Sequence, residues 1–173
     1  MLRKKSWFGT LAVIATLSVG MLAVGCGSND NSPAAPSTPP FATPPASLNG
    51  AWVSEIVEGN LLCTIDNGNF EMKVDNNRFA KGTCLTSNLN FKLTITHVHS
   101  DIINSMSPVP VLVPNWYSKS ELKTALNSIV PITDADFEEE FGEMFREQTG
   151  TYKLEGGFLY VNKGEGYQQF HRQ

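Results

Sequence analysis

From Leu48 onward, apolar and polar residues alternate in short runs separated by turn residues, a period of two that predicts strands. The first run covers residues 51–57. Runs 61–66 and 69–75 flank Asn67-Gly68, a dipeptide that accepts the positive φ angles of a two-residue hairpin turn, so these two pair as a hairpin. Asn76-Asn77 separates them from run 78–84, and Asn88 leads into run 89–99. In that run strict alternation puts Phe91, Leu93, Ile95, His97 and His99 on one face. Runs 151–154, 158–161 and 167–172, divided by Gly156-Gly157 and Gly164, make a second meander. Together they predict about eight antiparallel strands.

The middle of the chain breaks this rhythm. Residues 102–117 hold Pro108, Pro110 and Pro114 among Val, Leu, Ile, Trp116 and Tyr117. That is too proline-rich for a central strand and too apolar for a solvated loop, so the segment is expected to pack over the rest. Ser118 with Glu121 forms a capping-box pattern, after which Leu122, Leu126, Ile129 and Val130 recur at helical spacing until Pro131. Thr133 caps a second helix with an acidic first turn (Asp134, Asp136) and an apolar stripe of Phe137, Phe141, Met144 and Phe145. Glu138, Glu139 and Glu140 belong to its wet face. The fold class is therefore mostly β, an up-and-down meander with a two-helix insertion over about 118–148.

The first 48 residues have a different character. Arg3, Lys4 and Lys5 precede an uncharged apolar run from Trp7 to Val24, the pattern of an export signal over residues 1–25. It ends in Ala23-Val24-Gly25-Cys26, which resembles the lipobox of bacterial lipoproteins. The resemblance implies a fatty-acylated Cys26 (diacylglyceryl and palmitate) at a new N-terminus, anchored to the cell membrane or outer membrane with the domain facing the periplasm or exterior. It departs from the usual pattern in having Ala23 where Leu is common, with Leu22 one place earlier. The alternative is an uncleaved N-terminal membrane helix, which would export the remainder equally. Residues 26–48 then form a stalk with six of the ten prolines, rising ~3.1 Å per residue where polyproline-like. Residues 49–173 are the domain.

Charge narrows the partners. The chain carries 13 Lys and Arg against 17 Asp and Glu, and without Arg3, Lys4 and Lys5 the balance is 10 against 17. Such a surface repels nucleic acid and anionic headgroups, so membrane attachment falls to the anchor.

Leu48-Asn49-Gly50-Ala51-Trp52, Lys81-Gly82-Thr83 read as a turn, and Gly150-Thr151-Tyr152-Lys153-Leu154 with Gly157 and Leu159 resemble the lipocalin-like domains of bacterial lipoproteins, over residues 48–101 and 148–172. The likeness implies that the meander closes into a small barrel of about eight strands, wide enough to be filled by side chains or to hold one small ligand. The helical insertion departs from a simple meander and would cap one open end.

Candidate chemistry is sparse. His97 and His99, two apart on a strand, could share a metal ion, and with Asp101 they resemble part of the His-x-His-x-Asp-His motif of metallo-β-lactamases. Ile102, however, replaces the last His, and the polar end of a half-buried strand is the preferred account of the pair, with a metal site as the lesser alternative. Cys63 and Cys84 are the cysteines left beside Cys26. An oxidising compartment favours their pairing, while two strand spacings of ~9.6 Å oppose it, and the sequence leaves the disulfide open. No Gly-x-Ser-x-Gly elbow, calcium loop or phosphate cradle is present, so the chain reads as no enzyme and as needing no cofactor. The apolar surplus of the insertion makes Trp116, Tyr117, Phe137 and Phe141 the candidate binding residues, for a small apolar molecule or a peptide. Structural or interaction lipoprotein of the envelope, with a filled barrel and an envelope-protein partner, is the alternative.

Overall fold

The computed structural model describes residues 39–56, 59–105, 112–164 and 166–173. Eight antiparallel strands close into a barrel: β1 (Gly50–Ile56), β2 (Gly59–Asp66), β3 (Asn69–Val74), β4 (Asn77–Ser87), β5 (Asn90–His99), β7 (Gln148–Glu155), β8 (Phe158–Asn162) and β9 (Tyr167–Arg172). Each pairs with its predecessor in this order, and β9 returns to β1 through Trp52↔Arg172 and Val53↔His171. An extra strand, β6 (Trp116–Ser118), adds to the far half of β5. Residues 90–93 of β5 pair with β7, while His97, Val98 and His99 pair with β6.

The predicted hairpin is present, with Asn67 at φ 46° and Gly68 at φ 82°, both positive as its two-residue turn requires. Lys81-Gly82-Thr83 is not a turn. It lies within β4, where a Cβ on Gly82 would meet the Thr94 carbonyl oxygen at 1.9 Å, so the glycine lets β4 and β5 coil closely.

Two bulges re-aim side chains. In β4, Lys73 faces Arg78 while Met72 faces Ala80, which leaves Phe79 as the extra residue. In β5, Lys81 faces His97 while Gly82 faces Ile95, which leaves Thr96 extra. Alternation therefore does not carry through to His99. Phe91, Leu93 and Ile95 face inward, Val98 takes over the inward face, and His97 and His99 turn outward.

Antiparallel order sorts the connections between two ends. Residues 39–49 and the turns at 67–68, 88–89 and 156–157 lie at one end, the base. The strand ends at Ile56, Gly59, Val74, Asn77, His99, Gln148, Asn162 and Tyr167 lie at the other, the mouth. At the base, the segment expected to be stalk is packed on the barrel from Pro39 on. Ala42 exchanges backbone hydrogen bonds with Thr86, the Ser87 hydroxyl donates to the Pro39 carbonyl, and a 3-10 turn at Ala46–Leu48 buries Leu48. The rest of the stalk, the lipobox and the signal segment lie outside the described residues.

The insertion at the mouth holds α1 (Ser100–Ser105), β6, α2 (Lys119–Asn127), α3 (Asp134–Phe141) and a 3-10 turn at Gly142–Phe145. Both predicted caps are made. Ser118 and Glu121 form the reciprocal box that opens α2, and Thr133 accepts from the Asp136 N–H to open α3. α1 and β6 escaped the sequence reading, since a proline-rich apolar stretch carries no regular period. Among the described residues no helix is long and apolar enough to cross a membrane.

Candidate functional site: the barrel interior

Register defines the inner face. Trp52, Cys63, Met72, Ala80 and Val98 stand in one cross-strand row, and Gly50, Ile65, Phe70, Gly82 and Ile95 in the next row toward the base. Burial varies along these rows. Toward the base, Trp52, Ile65, Phe70, Leu159 and Phe170 are buried and close the floor with Leu48. Toward the mouth, the inward residues Ile56, Leu61, Cys63, Met72, Val74 and Val161 are half-buried, while Ser54, Ala80 and Val98 are buried. The interior has a packed floor and an upper wall whose half-buried side chains pack against the core.

The floor is pinned by polar contacts. Trp52 Nε1 donates to the Leu48 carbonyl at 2.8 Å, and Arg172 Nη2 donates to the Ser47 and Asn49 carbonyls at 2.8 and 3.3 Å. Higher up, Gln168 Nε2 donates to the buried Ser54 hydroxyl at 3.1 Å. Lys163, just beyond β8, donates to Gln148 Oε1, and Gln148 stands opposite Leu93 on the inner face of β7. Sequence reasoning passed over Lys163, because a lone lysine after a strand has no local signature and only ring closure turns it inward.

Cys63 and Cys84 both face this interior and carry free thiols, so the pairing left open by the sequence is not made. Cys63 lies level with Ala80 on β4, four residues from Cys84, which adds a lengthwise offset to the two strand spacings and exceeds disulfide reach. Burial, then the neighbouring Cys84, pushes the Cys63 thiol up to about 12, with Lys163 acting in the opposite sense; burial pushes Cys84 up to about 11. Neither is a ready nucleophile at neutral pH.

The four aromatic candidates do not line one pocket. Tyr117 faces inward beside Val98 and is 8% exposed, while Phe137 and Phe141 stack at 5.3 Å and are 1% and 6% exposed, all within the core. Trp116, one residue from Tyr117, points to the opposite face, where its ring meets His99 edge-on at 4.9 Å beneath the Lys81 ammonium. The insertion thus plugs part of the mouth with its aromatics.

Nor do the histidines make a metal centre. His99 is 2% exposed, and its Nδ1 accepts the Asp101 N–H at 3.1 Å and lies 3.1 Å from Asp101 Oδ2. His97 contacts Thr96 Oγ1. Among the described residues no three His, Cys, Asp or Glu side chains converge as ligands. Outside the barrel, a cleft of about 450 Å³ runs over Thr64, Asp66, Glu71, Lys81 and His97, and another of about 310 Å³ lies against α2 at Ser120 and Thr124.

Protein-family models, curated proteins and solved structures offer no match to this chain. The inner surface of the barrel is therefore the basis for assigning a role. Its wall offers apolar area from Leu61, Met72, Leu93 and Val161, one amide pair with a lysine, and two protonated thiols. That mixture suits binding, with a few polar groups to orient a largely apolar guest.

Proposed function

We propose that this protein is a lipid-anchored, non-catalytic lipoprotein whose barrel holds one small, mainly apolar molecule. The observation that carries the reading is the set of half-buried apolar side chains Leu61 and Met72 on the inner wall above a floor sealed by Leu48 and Trp52. The lipobox-like Ala23-Val24-Gly25-Cys26 supports anchoring through Cys26, and the acidic balance leaves the lipid as the means of attachment.

The test is native mass spectrometry of the exported, gently purified protein, with intact and denatured masses compared. Release of a small molecule on denaturation is expected, and a clean apo mass that takes up no apolar probe would remove the reading. Incorporation of labelled palmitate, lost in Cys26→Ser, tests the anchor separately. A second reading, docking to an envelope protein, is favoured by one feature: Ile129 and Val130 stand adjacent and exposed between α2 and α3.

A further inference from the structure

Four large apolar side chains, Phe41, Leu89, Leu154 and Phe158, stand exposed at the base of the barrel. Backbone contacts tie them into one arc. Ala42 bridges to Thr86 on β4, and the Lys92 ammonium lies 5.4 Å from the centre of the Phe41 ring. Leu89 makes the turn from β4 to β5, and its carbonyl accepts the Tyr152 N–H of β7. Leu154 and Phe158 flank the Gly156-Gly157 turn from β7 to β8. The remaining hairpin turn at this end, Asn67-Gly68, is polar, so the apolar rim covers one side of the base.

Charge separates the two ends. The arc segments 39–49, 86–92 and 152–160 carry a single carboxylate, Glu155, which accepts from Lys153 Nζ at 2.6 Å. Lys92 is the other cation there. Residues 118–147, in the insertion at the mouth, hold eight carboxylates against three Lys and Arg. A bilayer approaching the mouth would desolvate those carboxylates, whereas at the base it covers apolar side chains with two cations beside them.

The chain also reaches the barrel at the base. Pro39 packs there against Ser87, and thirteen residues separate it from Cys26, a span of at most about 45 Å. The charge-free apolar run from Trp7 to Val24 ends just before Cys26, so either a lipid on that cysteine or the run itself would fix the chain to the bilayer at this point. Such a tether holds the base near the surface at high effective concentration, where a small apolar contact suffices. We infer that the base of the barrel rests on the bilayer, with Phe41, Leu89, Leu154 and Phe158 at the boundary of headgroups and acyl chains and the insertion turned away. This rests on the membrane-anchored reading above.

The experiment places the exported, membrane-attached protein in phosphatidylcholine vesicles containing a phosphatidylcholine with a diazirine near the top of one acyl chain. After flotation and photolysis, peptide mass spectrometry maps the label. Label is expected on the peptides of Phe41, Leu89 and 154–158 at least about tenfold above those of Ile129 and Val130, falling by a similar factor in a Leu89→Ser, Phe158→Ser variant with an unchanged thermal melt. Label concentrated at Val113, Ile129 or Val130, spread evenly over both ends, missing from the domain, or undiminished in the variant would overturn the seating and leave the anchor standing. Label at the base without an acyl mass on Cys26 would keep the seating and replace the lipid by the apolar run as tether. Protein that does not float with the vesicles would overturn the anchor and the seating together.

Discussion

The guanidinium of Arg172 lies 4.8 Å from the centre of the Trp52 ring, so a cation on the last strand of the barrel sits over an indole on the first. The same guanidinium donates to the Ser47 and Asn49 carbonyls, and the Gln173 N–H donates to the Ala51 carbonyl. One side chain therefore joins strand β9, strand β1 and the turn that closes the floor. Arg172→Ala should cost about 2 kcal/mol, combining the cation over the ring with hydrogen bonds from a charged donor. Arg172→Lys should recover only part, because an ammonium cannot reach both carbonyls with the same planar fork. Urea unfolding midpoints measure both.

Gly82→Ala should be among the most damaging single-methyl additions in the chain. The new Cβ would stand 1.9 Å from the Thr94 carbonyl oxygen and 2.9 Å from its carbon, and this is backbone that cannot swing aside. Loss of several kcal/mol, on the order of 4, is expected, seen as aggregation or a collapsed thermal transition. Gly157→Ala gives the contrast: nothing lies within 4 Å of its Cβ, and only its φ of 86° opposes the change, so the cost should stay near 1 kcal/mol.

The sequence made part of this legible. Asn67-Gly68 announced its hairpin and Ser118 with Glu121 announced α2, because turn and cap chemistry act within four residues of chain. The bulges at Phe79 and Thr96 were hidden, since one extra residue does not disturb a run of alternating apolar positions until a partner strand is known. For the same reason His97 and His99 were placed with Ile95, whereas register puts them on the opposite face. The aromatic quartet failed on the simplest period: Trp116 and Tyr117 are neighbours on a strand and diverge. Lys163 could not be found locally, because its burial is made by the opposite wall.

Lys163→Met should raise stability at neutral pH by about 1 kcal/mol, the size expected for relieving a partly desolvated cation without a counter-charge. The folded-state pKa is depressed, so the fold is penalised where the unfolded chain is protonated and the native amine is not readily so. The penalty is present at neutral pH and disappears as pH rises toward the ordinary lysine value of 10.5. Thermal melts of variant and parent should therefore converge in alkaline buffer. A variant that melts lower at pH 7 would contradict the burial of this amine.

The thiols give the opposite sign. With folded pKa values raised from 9.0 to about 12 for Cys63 and about 11 for Cys84, the unfolded chain loses its thiol protons first. Stability contributed by these groups is complete below pH 9 and falls between pH 9 and 12. Iodoacetamide at pH 8 should modify them slowly in the native protein and rapidly in urea. A Cys63→Val, Cys84→Val double variant should lose the thiol share of the alkaline decline.

The seam between β1 and β9 also constrains how the chain can acquire its shape. Gly50 and Arg172 sit on adjacent strands although nearly the whole domain separates them, so the ring has no smaller closed version of itself. Until residues 167–172 are available, β1 and β8 are raw edges, each a row of unpaired backbone groups open to pairing with another chain. Native pairing must therefore wait for distant contacts, which places this domain among slow folders of high contact order. A chain cut before Tyr167 would be an open curved sheet prone to assembling with copies of itself.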